Sequence, residues 1–164
     1  MTSTLQEDRA TDTNLDAQGG KYLTFILAEE EYGLEILKVR EIIGIMGITA
    51  VPQMPEHVKG VVNLRGKVIP VVDLRLKFAM PPTEYTEATC VIVVDVGTLV
   101  GIIVDTVQEV LDIDGSQVEP SPPLGASVDT TFILGMGKVK DEVKILLDID
   151  KVLNDERTFA SEEA

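Results

Sequence analysis

Few residues of this chain could do chemistry by themselves. One histidine and one cysteine in 164 residues cannot supply a metal set or a Cys–His nucleophile from near neighbours. His57 sits in Pro55-Glu56-His57-Val58, a turn-like setting, and Cys90 opens the apolar run Cys90-Val91-Ile92-Val93, where a thiol packs as a small inert hydrophobe. Asp95 and Asp105 are the carboxylates that merit a catalytic test, since both close strand-like runs. Two carboxyls about 3 Å apart share a proton and can activate water, the chemistry of an aspartate-dependent hydrolase. Neither lies in an Asp-Thr-Gly or Asp-Ser-Gly triplet, although Asp105-Thr106 comes one residue short. The plainer reading is that both aspartates end strands and start turns. No glycine pattern for a phosphate loop, a dinucleotide fold or a hydrolase elbow occurs. The chain is therefore expected to use no catalytic residue, metal ligand or cofactor.

Binding chemistry is better represented. Arg65 stands in Asn63-Leu64-Arg65-Gly66 between two apolar runs. A turn closed by glycine pins the backbone and presents the guanidinium rigidly to an acidic or carbonyl-bearing partner. Val39 and Glu41, like Val107 and Glu109, lie two positions apart, hence on one face of an extended strand. Core packing explains the valines and solvation the glutamates equally well. A third reading, a small β-barrel closed around a ligand, needs a cavity in its interior.

Composition narrows the partners. Lys and Arg number 14 against 28 Asp and Glu, a formal charge of −14, which repels phosphate backbones and anionic membranes. Nucleic acid is not an expected partner. A lone cysteine makes no internal disulfide, and no long apolar run follows the polar N-terminus, so a cytoplasmic protein without membrane insertion is expected.

Residues 1–20, rich in Thr, Asp, Gln and Gly without periodicity, read as a disordered acidic arm, and 156–164 as a flexible tail. One domain is expected over 21–155. Residues 21–28 and 32–36 form a hairpin about Glu29-Glu30-Glu31, and 37–43 is a helical turn or, on its β-branched content, a strand. Residues 61–64 and 67–74 pair through the Arg65 turn, Pro70 marks an edge or a bulge, and Asp73 caps a short helix to Phe78. Met80-Pro81-Pro82-Thr83 reads as the connection between subdomains 21–82 and 83–155. Beyond it, 88–95 and 99–104 make a second hairpin, 107–113 a strand, and 119–129 an irregular proline-rich loop. Residues 132–138 and 143–147 supply the last strands, and Asp148 or Asp150 caps a closing helix through Leu153. Short strands, few helices and glycine-closed turns predict an all-β fold with minor helices.

The pattern is also stated twice. Tyr32-Gly33-Leu34-Glu35-Ile36 with Val39-x-Glu41-Ile42 overlies Val100-Gly101-Ile102-Ile103-Val104 with Val107-x-Glu109-Val110, an offset of 68 from 33 to 101. Val68 to Leu74 overlies Val143 to Ile149, an offset of 75 from 68 to 143. Two modules of this length are too long and too few for a solenoid. They imply one domain of two related halves, neither large enough to be more than marginally stable alone.

These motifs, with Val51-Pro52-x-x-Pro55, Gly60-Val61-Val62-Asn63-Leu64-Arg65-Gly66, Pro70-Val71-Val72-Asp73-Leu74-Arg75 and Leu134-Gly135-Met136-Gly137-Lys138, resemble those of CheW-type chemotaxis coupling proteins over about Lys21 to Leu153. The resemblance implies two Src-homology-3-like five-stranded β-barrel subdomains packed on a shared hydrophobic interface. It implies a non-catalytic adaptor between the regulatory domain of a CheA-type histidine kinase and the cytoplasmic tip of chemoreceptors. Carried over by motif, Val39, Glu41, Gly60, Arg65, Val104 and Val107 are the implied protein-binding positions.

Overall fold

β-branched residues prefer a pleated, half-buried surface, and here they put most of the described residues into strand. The computed structural model describes residues 20–122 and 130–154. The arm and tail expected at 1–20 and 156–164 lie outside that span apart from Gly20, which opens the first strand, and part of the 119–129 loop lies outside it too. In chain order the strands are β1 (Gly20–Leu27), β2 (Glu30–Glu35), β3 (Val39–Gly44), β4 (Val58–Leu64), β5 (Lys67–Asp73), β6 (Cys90–Asp95) and β7 (Leu99–Val104), then β8 (Thr106–Ile113), β9 (Val118–Glu119), β10 (Ile133–Val139) and β11 (Glu142–Leu147). Two helices, α1 (Leu74–Lys77) and α2 (Ile149–Asn154), follow β5 and β11. The ambiguous stretch 37–43 is both things, a one-turn 3-10 helix over Ile36–Lys38 and then β3.

The strands form two sheets, ordered β8-β1-β2-β11-β10-β9 and β3-β6-β7-β5-β4. Neither coincides with a half of the chain. Each sheet takes the first hairpin of one half and sets it among the later strands of the other. Thus β1–β2 lies between β8 and β11, and β6–β7 lies between β3 and β5. The expected division at 82/83 is therefore not where sheet membership changes; that happens across 36–38 and again at Asp105. The apolar pattern of the two halves is nearly the same, so it cannot say whether a hairpin pairs within its own half or across.

The repeat recurs in three dimensions. Gly33 of β2 lies in parallel register with Leu146 of β11, and its counterpart Gly101 of β7 lies opposite Val71 of β5. A Cβ at Gly33 would sit 2.9 Å from Leu146 Cδ2, and one at Gly101 would sit 2.7 Å from Val91 Cγ1. Glycine at Gly33 makes room for a side chain of the crossing strand β11, and at Gly101 for one of its own hairpin partner β6. Asp73 caps α1 through the backbone N–H groups of Arg75 and Leu76, and Asp148, its counterpart, accepts from Lys151 N at 3.2 Å to cap α2.

Pro70 is not on an edge, since β5 has β4 on one side and β7 on the other. It is tolerated because Val61, opposite it, turns both its N–H and its C=O to Thr49, so the pair asks for no bond from the proline. The ladder to β7 starts only at Val71. One core joins the inner faces of the two sheets, with Phe25, Leu34, Leu74, Ile92, Ile102, Ile149 and Leu153 fully buried. Across it runs a column of rings, Phe25, Tyr32, Phe78 and Phe132, with centroids 5.8 to 6.4 Å apart.

Where the chain passes from β7 to β8, Asp105 ties both sheets together. It accepts two bonds from the Arg75 guanidinium, at 2.9 and 2.7 Å, and one from Ala28 N at 2.9 Å. The Arg75 guanidinium, ahead of the Ala28 amide, holds the Asp105 carboxyl below the usual carboxylate range. A depressed carboxylate stabilises the fold above its unfolded value of about 4 and loses that contribution as pH falls through the folded value. Asp105→Asn should therefore lower stability by about 2 kcal/mol at neutral pH and flatten the acid limb of the stability profile below about pH 4. Urea titrations from pH 2 to 7 give both; parallel curves for the two proteins would remove Asp105 from this role. At the equivalent crossing from β2 to β3 the polarity is reversed, Lys38 pairing with Asp150 at 2.5 Å.

Lys144 of β11 is the buried cation of the first sheet, 6% exposed at its side chain and paired with Glu31 and Glu142. Burial pulls its ammonium below the ordinary lysine range. Its counterpart in the first half is Ile69, 1% exposed, so the fold accepts an aliphatic chain there. The unfolded chain holds this proton more tightly, so stability rises with pH as the folded lysine titrates. Lys144→Met is expected to leave stability at pH 7 unchanged or raise it by up to about 1 kcal/mol and to remove that alkaline gain. Thermal melts at pH 7 and pH 10 read both effects, and a loss above about 2 kcal/mol would mean the ion pairs outweigh desolvation.

Candidate functional site

Leu64 and Lys67 close the β4–β5 hairpin, leaving Arg65 and Gly66 as a two-residue loop with φ of +52° and +85°. Positive φ at both positions is the turn that matches the twist of paired strands. Glycine adopts it without cost, arginine against a penalty of order 1 kcal/mol. Asn63 Oδ1 accepts from Gly66 N at 2.8 Å and locks the loop. The Arg65 guanidinium is consequently held on a stiff tip, its side chain 71% exposed.

The tip does not stand alone. Arg65 Nη2 forms an ion pair with Glu41 Oε1, whose side chain is 28% exposed on β3. β3 and β4 are opposite edges of their sheet, so the sheet curls until the two approach. Thr49, beyond the end of β3, joins β4 in the same way by bonds of 2.8 and 2.9 Å with Val61. Two positions named separately in the sequence thus form one charged feature.

The other implied positions lie elsewhere. Val39 begins β3 and Val107 stands on β8, both half-buried against the shared core. Val104 ends β7 at 1% exposure and offers almost no surface. Gly60 is buried in β4 with φ of +143°, and a Cβ there would fall 2.0 Å from Thr49 O. The exposed aliphatics escaped the sequence reading: Leu37, Ile42, Val68, Val110 and Val143 all face solvent. The signal was the repeat itself, since Ile42 and Val110 are counterparts, as are Val68 and Val143. In the other half, the turn between β10 and β11 carries Lys140 at φ +58° followed by Asp141, so of these two matching tips the Arg65 one has a cation without an adjacent acid in its loop.

The hydrolase reading fails on geometry. Asp95 lies opposite Leu99 at the start of β7 and Asp105 just past its end, roughly 20 Å apart at 3.3 Å per residue. Each has its own arginine, Asp95 with Arg40 at 2.6 Å and Asp105 with Arg75. Among the described residues no cluster of His, Cys, Asp and Glu could hold a metal, and no buried side-chain polar atom lacks a partner.

Sheets that exchange hairpins, a rigid charged tip and paired exposed aliphatics define a two-sheet β scaffold with several distinct surfaces. The CheW-like domain family model matches residues 21–157. The chain is 42% identical over 139 residues to a chemotaxis protein CheW of Klebsiella aerogenes, covering 84% of each, and 34% identical to that of Bacillus subtilis, covering 84% of this chain and 89% of the relative. The crystal structure of the scaffolding protein TtCheW from Thermoanaerobacter tengcongensis superposes with a TM-score of 0.79 at 36% identity, over 87% of this chain and 97% of that one. The chain belongs to the CheW-like family.

Proposed function

We infer that this protein is a non-catalytic cytoplasmic adaptor that couples chemoreceptors to a CheA-type histidine kinase. The observation that carries the reading is a family match over residues 21–157, spanning both sheets, with 42% identity to a chemotaxis protein CheW. An adaptor needs separate surfaces for two partners, and two sheets on one core supply them. Contacts of this kind are commonly small and gain strength from multivalency in an assembly.

Arg65 and Glu41 are proposed as a contact surface of fixed geometry, with Val39 and Val107 as apolar flanks on the edge strands. Gly60 and Val104 are proposed to act by holding backbone beneath those surfaces rather than by touching a partner. Titration of the protein into the isolated regulatory domain of a CheA-type kinase, and separately into a receptor signalling-tip fragment, tests the reading. Saturable binding to both is expected, and binding to neither would leave only the fold.

A further inference from the structure

The β1–β2 hairpin is held in its sheet by antiparallel pairing to β8 and parallel pairing to β11. It reaches β3 through only three residues, Ile36–Lys38. The second half makes the same exchange in reverse with β6–β7. Neighbourhood along the chain therefore does not decide which hairpin fills a sheet; ladder register does, and a second copy of the chain presents the identical register.

Two features of the connection favour opening. The 3-10 turn buries none of its residues, and Leu37 on it is 87% exposed. It is pinned outward by the Lys38–Asp150 ion pair, whose side chains are 32% and 38% exposed, a degree of solvation at which such pairs hold weakly.

We propose that the β1–β2 hairpin is an exchangeable element and that its acceptor is a second copy of this chain. Each hairpin docks between β8 and β11 of the other copy, and the two connections run past one another with their Leu37 side chains brought together. Every ladder bond of the monomer is kept, so only the connection changes conformation. The balance is then set by the hinge and by the effective concentration of the tether, which for short links is in the millimolar range.

Two full-length variants test this, both carrying Cys90→Ala, one with Lys21→Cys and the other with Asp112→Cys, positions paired across β1 and β8. Mixed at about 1 mM with a mild oxidant, they can place the two thiols opposite each other only by exchange. The expected result is a disulfide-linked heterodimer roughly tenfold more abundant than that from Lys21→Cys with Lys140→Cys, a pair no ladder aligns. A further variant lacking Ile36–Lys38 fuses β2 to β3, so its hairpin cannot fold back on its own chain. Light scattering should find it dimeric, and a folded monomer overturns the proposal. If that variant does not fold, the natural-hinge pair decides alone: cross-linking at the control level overturns the proposal, and excess over it sustains it.

Discussion

Gly60→Ala is expected to destabilise the protein by roughly 3 to 5 kcal/mol. The backbone at position 60 has φ of +143°, a region that side chains enter only at a cost of about 1 to 3 kcal/mol. A methyl group there would meet Thr49 O at 2.0 Å and Thr49 C at 2.7 Å. Those are main-chain atoms fixed by the bonds between Thr49 and Val61, so the clash is relieved only by breaking that bridge, at about 1 kcal/mol per bond. Against a total of about 5 to 15 kcal/mol, the variant should be partly unfolded near body temperature. Chemical denaturation measures the loss. Binding to both partners should fall in proportion to the unfolded fraction and recover on cooling. Full stability with binding to one partner lost would instead make position 60 a contact.

Arg65→Glu is expected to do the reverse, weakening coupling by 100-fold or more while leaving the melting temperature nearly unchanged. The Arg65 side chain is 71% exposed, and a pair with one partner so solvated contributes about 0 to 1 kcal/mol. The loop keeps Gly66 and the Asn63 lock. What changes is the sign of a charge held on a rigid tip, and juxtaposed like charges across an interface cost several kcal/mol. The double change Glu41→Arg with Arg65→Glu sharpens the test, because it restores an ion pair within the protein but not the field a partner meets. Binding rescued by the double change would show that the pair acts by holding β3 to the β4–β5 turn. Binding still lost would show that the arginine itself is read.

Much of this protein was legible one element at a time. Asp73 as a helix cap, the Arg65 turn and the hairpin between 88–95 and 99–104 depend on interactions within a few residues, which local sequence controls, and of the two caps offered for the closing helix, Asp148 and Asp150, the structure uses Asp148. Pro70 misled because an edge is one of two ways to spare a proline its missing N–H. The other, a non-hydrogen-bonded pair whose partner bonds elsewhere, needs Thr49 brought to Val61 from twelve residues earlier in the chain. The candidate positions were legible only as motif matches. Nothing near Glu41 in sequence announces Arg65 as its partner, since the pair closes across opposite edges of a curled sheet.

By itself the sequence determined that the chain is β-built, duplicated and acidic. Strand propensity, the offsets of 68 and 75, and charge are properties of the chain whatever its fold. Only the tertiary structure decided that the halves trade hairpins, that Asp105 pairs with Arg75 at one crossing between sheets and Lys38 with Asp150 at the other, and that Val104 is covered while Leu37 is bare. The physical reason is that both halves carry the same alternation and the same glycine. Pairing within a half and pairing across halves therefore satisfy the local pattern equally, and the choice falls to contacts distant in sequence, the pairing of β1–β2 with β8 and β11 and the core between the sheets.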